Sequence, residues 1–340
     1  MTKPKVAIRA VILATLGPVL ATFLTGCSPA QPSKTEHLIV QLPLYPQGSD
    51  GFLFLALKKK MFEKAGLDVE ILDGRGSNYA IQLVTSNHAD IGSATLTPVV
   101  FADQRGADAV VIAELWPNMG PAVIAAKGTG IASPSDLKGK RVALASAGPW
   151  PALLPSFLAK FGMTEKDLQL QYVDVNAIFS TYASKQVDAI LTIDTGFSEA
   201  QPLRDSVMLR GDHYGVDLPG AGLFTTQSAL SGPKRAAIAR FMAVCLQALD
   251  DEYAGHQDEA VDAILSERPN TKLPRKKLRE QVDMFEPAYR AFKIQGVPQG
   301  TMAPEKWARH IAYMKSIGML KGDVDTSKLY TNSLLTTASK

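Results

Sequence analysis

The apolar and polar positions at the start of the folded chain alternate between strand and helix patterns. Residues 37–42 form an apolar run that predicts a buried strand, and residues 67–72 alternate as a half-buried strand does. A helix is predicted over residues 51–65, with Gly66 as its left-handed cap, and a second helix precedes a short strand over residues 89–92. This order of strand, helix, strand, helix and strand predicts parallel pairing with helices on the faces of the sheet.

The same order returns about 96 to 98 residues further along the chain. The second copy is predicted to contain strands over residues 140–144, 168–173 and 187–190 and helices over residues 153–161 and 176–185. Gly162 follows the first of these helices, as Gly66 follows its counterpart. An internal duplication explains this repeated order of elements, and so does the period that alternating α/β chains have in common. Either origin predicts an α/β fold of two lobes with similar build.

Two connections are predicted to join the lobes. Strands over residues 110–115 and 122–126 flank residues 116–121, which we interpret as a hinge, and a second crossing is expected over residues 218–225. Open α/β sheets bind ligands at the carboxyl ends of their strands, so the facing lobes would form a cleft. The predicted boundaries are residues 37–118 and 222–340 for lobe 1 and residues 119–221 for lobe 2.

The chain beyond the second crossing has helical periodicity. Helices are expected over residues 231–253, 257–266, 275–292 and 303–317, and we expect them to cover lobe 1. A basic cluster over residues 272–279 is interpreted as a solvated helix face.

The amino-terminal pattern is that of an export signal. Three basic residues within positions 1–9 precede an apolar, uncharged run over residues 10–23. Leu24-Thr25-Gly26-Cys27 follows and resembles the bacterial lipoprotein box, in which the cysteine is acylated and the chain is cut before it. The resemblance implies a signal peptide over residues 1–26, lipid attachment at Cys27 and a flexible tether over residues 27–36.

Two alternatives to a lipoprotein are a plain signal peptide and a single transmembrane anchor. The apolar run is shorter than the roughly 20 residues that span a bilayer, and Gly17-Pro18 interrupts it. Acyl chains hold a soluble domain durably at a bilayer surface. We therefore predict an extracytoplasmic protein that is lipid-anchored to a bacterial membrane.

Composition and charge agree with a globular body of 340 residues, of which 46% are hydrophobic and 20% charged. The formal charge is +3, and the predicted signal peptide carries three basic and no acidic residues, so the mature chain is neutral. Neutrality argues against a nucleic-acid binder. The sequence has two cysteines, and with Cys27 assigned to lipid, Cys245 is predicted to be an inert core thiol.

Catalytic and metal-binding motifs were sought along the whole sequence and not found. The five histidines lack the spacing of metal ligands, and Gly74-Arg75-Gly76 is too short for a dinucleotide fingerprint. Small polar residues do precede several predicted helices, at Ser77-Asn78, Ser146 to Gly148 and Val175-Asn176. Such loops offer free backbone N–H groups to a polar ligand, although helix capping explains Ser77 and Asn176 equally well.

Three segments together resemble the periplasmic solute-binding proteins of ABC importers, in the branch that contains sulfonate, nitrate and thiamine-pyrimidine binders. These segments are residues 60–71 (KMFEKAGLDVEI), residues 87–92 (NHADIG) and residues 133–142 (SPSDLKGKRV). The resemblance covers the whole mature chain. It implies a type II binding-protein fold with two crossovers, a monomer without cofactor or catalysis, and delivery of a small molecule to a permease driven by a separate ATPase.

The resemblance also implies a set of ligand contacts by position. The predicted ligand-binding residues are Tyr45, Gln47, Asp50, Ser77, Asn78, Thr95, Trp116, Asn118, Ser146, Trp150, Asp194 and Tyr214. Relatives often have Gly-Tyr after the first loop, where this chain has Ser49-Asp50-Gly51. This departure bears on the ligand class.

The side chains of these loops favour a small aromatic or amino-substituted heterocycle, such as a pyrimidine precursor. Asp50 and Asp194 would attract an amino group or a protonated ring, whereas Arg75 is the one cation in a candidate loop. An alkylsulfonate, nitrate or other small anion is the alternative. Two further alternatives are a fungal-type enzyme of pyrimidine synthesis with this fold and a surface adhesin or sensor domain. The aromatic faces expected near the cleft are Tyr45, Trp116, Trp150, Phe179 and Tyr214.

Overall fold

The structure is a computed structural model that describes residues 35–117, 119–146 and 149–335. The predicted signal peptide, Cys27 and most of the predicted tether lie outside the described residues. The strands are β1 (Glu36–Gln41), β2 (Leu67–Leu72), β3 (Ile91–Thr95), β4 (Val110–Trp116), β5 (Pro121–Ala126), β6 (Arg141–Ala145), β7 (Gln169–Val173), β8 (Ala189–Ile193), β9 (Ser206–Arg210) and β10 (Ala221–Thr225).

Helices follow most strands and then form the carboxyl-terminal third of the chain. They are α1 (Gly51–Lys58), α2 (Met61–Lys64), α3 (Ser77–Thr85), α4 (Leu96–Gln104), α5 (Trp150–Ala159), α6 (Ile178–Ala183), α7 (Phe197–Leu203), α8 (Gln227–Ser231), α9 (Arg235–Asp251), α10 (Gln257–Glu267), α11 (Arg275–Phe292), α12 (Pro304–Ser316) and α13 (Thr326–Leu329). No helix among the described residues is long and apolar enough to cross a membrane.

The strands form two five-stranded sheets, in the orders β2-β1-β3-β10-β4 and β7-β6-β8-β5-β9. In the first sheet β1 pairs in parallel with β2 and β3, and β10 runs antiparallel between β3 and β4. In the second sheet β6 pairs in parallel with β7 and β8, and β5 is the antiparallel strand. The prediction of an α/β fold with two sheets flanked by helices is confirmed, and each sheet is mixed, with two parallel and two antiparallel pairings.

Burial explains why these segments become strands. Every residue of β4 and β5 is buried, as expected for strands covered on both faces, whereas β2 alternates between buried and exposed positions. Gly66 and Gly162 have positive φ angles of 72° and 67°, which are the left-handed caps predicted for them. Cys245 is buried, and its burial raises the pKa of the thiol, as expected for an unreactive core residue.

Several predicted boundaries were wrong for local reasons. The helix predicted over residues 51–65 is divided into α1 and α2, because Lys60 adopts a left-handed conformation with φ of 54°. The strand predicted over residues 89–92 lies at Ile91–Thr95, and the helix expected from residue 231 begins at Arg235 after the separate short helix α8. The sequence patterns gave no prediction for α4, α7 or β9.

Polar groups of β4 and α12 contact the second of the two connections between the sheets. The first connection runs from β4 to β5 and the second from β9 to β10. The Gly220 N–H donates to Glu114 Oε1 over 3.0 Å, and Lys306 Nζ lies 3.4 Å from Glu114 Oε2. His310 Nδ1 lies 2.8 Å from Asp217 Oδ1.

Candidate functional site

A cavity of about 160 Å³ lies where the two sheets face each other. Lobe 1 contributes the loop after β1, the start of α3 and the ends of β3 and β4, and lobe 2 contributes the start of α5, the segment before α6 and the start of α7. The lining of the cavity is mostly apolar. This position, at the carboxyl ends of parallel strands, is where open α/β sheets bind small molecules.

Aromatic rings form much of the cavity wall and are fixed by a second layer. Tyr45, Phe52, Trp116, Trp150 and Phe179 line the cavity. Trp116 packs against Phe285 with ring centroids 4.5 Å apart and meets Tyr253 edge-on at 6.4 Å. The Trp150 Nε1–H donates to the carbonyl oxygen of Thr192 over 2.5 Å, and its ring packs edge-on against Phe157 at 5.2 Å. Rings held in this way offer a preformed slot for a flat ligand.

Two carboxyl groups line the cavity, one from each lobe. Asp50 is 6% exposed and accepts a hydrogen bond from the backbone N–H of Gln47 over 2.9 Å. Glu199 projects from α7 and accepts a hydrogen bond from the hydroxyl of Tyr45 over 2.9 Å. Burial raises the pKa of Asp50 to about 7 and that of Glu199 to about 7. Both groups therefore change charge near neutral pH.

The Tyr45–Glu199 hydrogen bond crosses the cleft, since Tyr45 follows β1 and Glu199 belongs to α7. Lys272 Nζ lies 5.3 Å from the centroid of the Tyr45 ring, outside the cavity lining. Burial raises the pKa of the Tyr45 hydroxyl, so this group stays protonated and donates at physiological pH. This hydrogen bond thus joins the two lobes across the cavity.

Neutral polar groups complete the site. The Ser77 and Thr95 hydroxyls lie 3.2 Å apart, and both residues line the cavity. The Gln47 side-chain oxygen accepts a hydrogen bond from Gln281 Nε2 over 2.8 Å, so α11 orients this amide. These groups give the cavity hydrogen-bonding capacity without formal charge.

Comparison with known proteins identifies the family. Residues 50–260 match the family described as NMT1/THI5 like. The chain belongs to the NMT1/THI5-like family. A Haemophilus influenzae protein named for thiamine biosynthesis is 26% identical over 255 residues, which cover 73% of this chain and 79% of that protein. The riboflavin-binding protein RibY of Chloroflexus aurantiacus is 23% identical over 353 residues, covering 94% of this chain and 97% of RibY.

Solved structures share the fold of this NMT1/THI5-like chain. The alkanesulfonate-binding protein SsuA of Xanthomonas axonopodis bound to MOPS has a TM-score of 0.65 and 17% identity, over 85% of this chain and 96% of SsuA. The periplasmic nitrate-binding protein NrtA of Synechocystis has a TM-score of 0.64 and 16% identity, over 88% of this chain and 87% of NrtA. The two-lobed periplasmic binding-protein fold predicted from the sequence is confirmed.

Seven of the residues predicted to bind ligand meet at the cavity of this NMT1/THI5-like protein. They are Tyr45, Gln47, Asp50, Ser77, Thr95, Trp116 and Trp150. They come from five separate stretches of the chain. The fold brings them together because each stretch follows a strand or begins a helix at the same edge of a sheet.

The other predicted residues do not line the cavity. Asn78 and Ser146 are exposed, and Asn118 lies outside the described residues. Asp194 is buried and pairs with Arg210, whose Nη1 lies 2.6 Å from Asp194 Oδ2, while burial raises the pKa of Asp194 to about 6. Tyr214 packs edge-on against Phe161 at 5.9 Å. As ligand contacts these five residues stay predictions.

Glu199 lines the cavity, but the sequence analysis did not name it as a candidate site residue. It lies in α7, a seven-residue helix that contains Pro202 and has no clear periodicity. A signal was available in the sequence, because Glu199 follows the predicted loop residues 193–195 by one helical turn. That spacing directs a helix-borne side chain back toward the loop.

The charged side chains that line the cavity are carboxyl groups. Among the described lining residues there is no Lys, Arg, His or Cys. Arg75 lies instead with its guanidinium 5.9 Å from the centroid of the Tyr79 ring. Within the described part of the chain, no three His, Cys, Asp or Glu side chains are grouped so that they could hold a metal ion.

Proposed function

We propose that this protein is an extracytoplasmic solute-binding lipoprotein that captures a small aromatic or amino-substituted heterocycle between its two lobes. A pyrimidine precursor is a representative solute. The bound solute is delivered to an ABC permease whose transport is driven by a separate ATPase. The protein acts as a monomer and performs no catalysis.

The composition of the cavity lining carries this proposal. Aromatic rings from both lobes suit a flat solute, and Asp50 and Glu199 suit N–H donors or a positive charge on that solute. A sulfonate or nitrate needs cationic or N–H donors around a buried negative charge. The described lining offers two carboxyl groups and no cationic side chain, so an anion is the less favoured solute.

The names of the relatives agree with a ring-shaped solute. RibY, which aligns over 94% of this chain, is named for binding riboflavin, and the Haemophilus influenzae relative is named for thiamine biosynthesis. SsuA and NrtA, named for alkanesulfonate and nitrate, share the fold at 17% and 16% identity. A fold shared at such identity leaves the solute open, because ligand choice depends on individual side chains.

Membrane attachment belongs to the same proposal. Leu24 to Cys27 supply the lipoprotein box, and residues 28–34 extend the tether to the first described residue, Thr35. Acylation of Cys27 would keep the binding domain beside its permease at the membrane surface.

A thermal-shift screen tests the solute class. The panel contains aminopyrimidines, riboflavin, aromatic acids, alkylsulfonates and nitrate, each added to the purified protein. A solute present at about 100 times its dissociation constant adds about 2.7 kcal/mol to the free energy of unfolding. We expect stabilisation by aminopyrimidines or riboflavin. Stabilisation by sulfonates or nitrate alone would overturn the proposed solute class.

The non-enzymatic part of the proposal is tested separately. The described lining residues include no His, Cys or Lys, the side chains that most often act as general bases and nucleophiles. Incubation with pyridoxal phosphate and iron is therefore expected to leave the protein and the pyridoxal phosphate unchanged, as judged by mass spectrometry. Formation of a pyrimidine product would assign the chain to the enzyme class.

A further inference from the structure

The end of α9 supports the cavity from behind. The chain kinks between α9 and α10 at Gly255, which has a φ of 118°. Two consecutive side chains just before this kink lie behind the cavity wall. Tyr253 packs edge-on against Trp116, and Glu252 lies behind the loop that carries Asp50.

Glu252 is buried, and one oxygen of its carboxyl group lacks a hydrogen-bond partner. Its residue is 1% exposed, and Oε1 has no hydrogen-bond partner. The carboxyl group lies directly against the backbone of Gly51, where an added Cβ atom would overlap Oε1. Because Gly51 has no side chain, it leaves room for the Glu252 carboxyl group. Asp50 directly precedes Gly51 in the chain. Two buried carboxyl groups thus lie beside one glycine of the segment that carries Asp50.

The charged groups around this pair do not neutralise it. Asp73 faces Asp50 and adds a further negative charge. Arg279 faces Glu252, but it is paired with Asp283 and lies 3.5 Å from Asp258. When one of two closely interacting buried carboxyl groups ionises, it raises the pKa of the other, so their protons are lost in two separate steps that belong to the pair. Asp50 accepts a hydrogen bond from the backbone N–H of Gln47, whereas Glu252 Oε1 has no donor, so the geometry favours the negative charge on Asp50. Burial raises the pKa of Glu252 well above its ordinary value.

We propose that Glu252 is a positioning residue of the cleft that holds a proton at neutral pH, so that its neighbour Asp50 is free to ionise and face an amino or ring N–H group of the solute. This inference rests on the proposed function for the class of solute. When Glu252 loses its proton at alkaline pH, repulsion between the two carboxylates disrupts the wall that carries Asp50. Solute affinity therefore rises as Asp50 ionises and falls again as Glu252 ionises.

Infrared spectroscopy tests the proton on Glu252 without any solute. The full chain is titrated upward from a mildly alkaline pH at which Asp50 and Glu199 have already ionised, and the C=O stretch of the carboxyl groups that are still protonated is followed. We expect a protonated-carboxyl band at this starting pH that disappears at more alkaline pH. Glu252→Gln is expected to lack that band, and the matched control Glu267→Gln, at an exposed end of α10, is expected to retain it. Absence of the band from the wild type, or its persistence in Glu252→Gln, would overturn the proposal.

Binding of 4-aminopyrimidine, whose charge does not change above neutral pH, tests the consequence for the solute. We expect the wild-type affinity to fall about tenfold between its maximum and alkaline pH. A fall of this size corresponds to a change of about one unit in the pKa of Glu252 when the solute binds. Glu252→Gln should lose this alkaline fall and retain the rise near neutral pH, whereas a merely structural role would lower affinity at every pH. An alkaline fall that is unchanged in Glu252→Gln would contradict the role of Glu252. If 4-aminopyrimidine does not bind at all, the proposed solute class fails, while the infrared titration still decides the state of Glu252.

Discussion

Glu199 makes the stability of the protein depend on pH. Burial raises the pKa of Glu199 to about 7. The stability that depends on protonated Glu199 is therefore fully present below the ordinary glutamate pKa and is lost as the pH rises through about 7. Glu199→Gln removes this loss. We expect the variant to gain roughly 3 kcal/mol over the wild type between acidic and alkaline pH. Urea unfolding at a series of pH values measures the difference.

A suitable control for this prediction is Glu63→Gln. Glu63 is exposed, and its Oε2 lies 3.3 Å from Lys60 Nζ. Its replacement should change stability by the same small amount at every pH, since exposed ion pairs contribute about 0 to 1 kcal/mol. A pH-independent difference between Glu199→Gln and the wild type would argue against a titrating buried Glu199.

Individual side chains could be placed from the sequence only when they stand next to a strand end. Tyr45, Trp116 and Trp150, which the sequence analysis names, line the cavity, and each follows or ends a strand or begins a helix. Asp194 meets the same criterion, yet its carboxylate is paired with Arg210 sixteen residues later. The pairing depends on the antiparallel register of β5 with β8 and β9, which sequence periodicity does not specify.

At the scale of elements, the two connections between the lobes pack so closely that one of them requires glycine. A Cβ atom on Gly220 would overlap the carbonyl oxygen of Trp116. Gly220→Ala is therefore expected to lower the free energy of unfolding by about 1–3 kcal/mol, the usual cost of overpacking. Chemical denaturation measures this change.

The first connection offers a matched control. Gly120 has open space where a Cβ atom would lie and has no positive φ angle. Gly120→Ala should leave stability within about 0.5 kcal/mol of the wild type. Equal effects of the two substitutions would mean that the second connection relaxes away from Trp116.

Elements with strong periodicity could be predicted from sequence, and weakly patterned ones could not. β2 and α11 have the predicted bounds, because β2 alternates strictly and α11 is strongly amphipathic. β9 was missed because its five residues show no alternation of burial, and α7 was missed because Pro202 interrupts a short helix. Both missed elements belong to the lobe that supplies Glu199, so the site predicted from the sequence lacks this residue.

For the whole molecule, the Tyr45–Glu199 hydrogen bond predicts how the lobes behave without solute. Tyr45→Phe removes the hydroxyl that bridges the cleft. We expect the solute-free variant to have a larger radius of gyration than the wild type in X-ray scattering, and both proteins to become equally compact with saturating solute. Tyr79→Phe, which alters a tyrosine outside the cavity lining, is the control and should scatter like the wild type.

Membrane attachment is also a property of the whole molecule, and the two cysteines allow a direct test. Cys27→Ser should abolish labelling by a fatty-acid analogue in cells and release the protein from the membrane fraction. Cys245→Ser, at a buried position, should keep both the label and the membrane association. Label that persists in Cys27→Ser would refute the lipid anchor.

The central place of β10 in the first sheet determines the order in which the lobes can be completed. A chain that emerges amino terminus first presents β1 to β4 early, but β10 joins β4 to the rest of its sheet, and β10 ends at Thr225. The second sheet is drawn entirely from β5 to β9 and has all its strands once Arg210 has emerged. The lobe that comes later in the sequence is therefore the first that can fold to completion, and the earlier one must wait with an unpaired β4 edge. Such an edge is prone to pair with other chains, so we expect this protein to be most exposed to aggregation while residues 117–225 are still emerging.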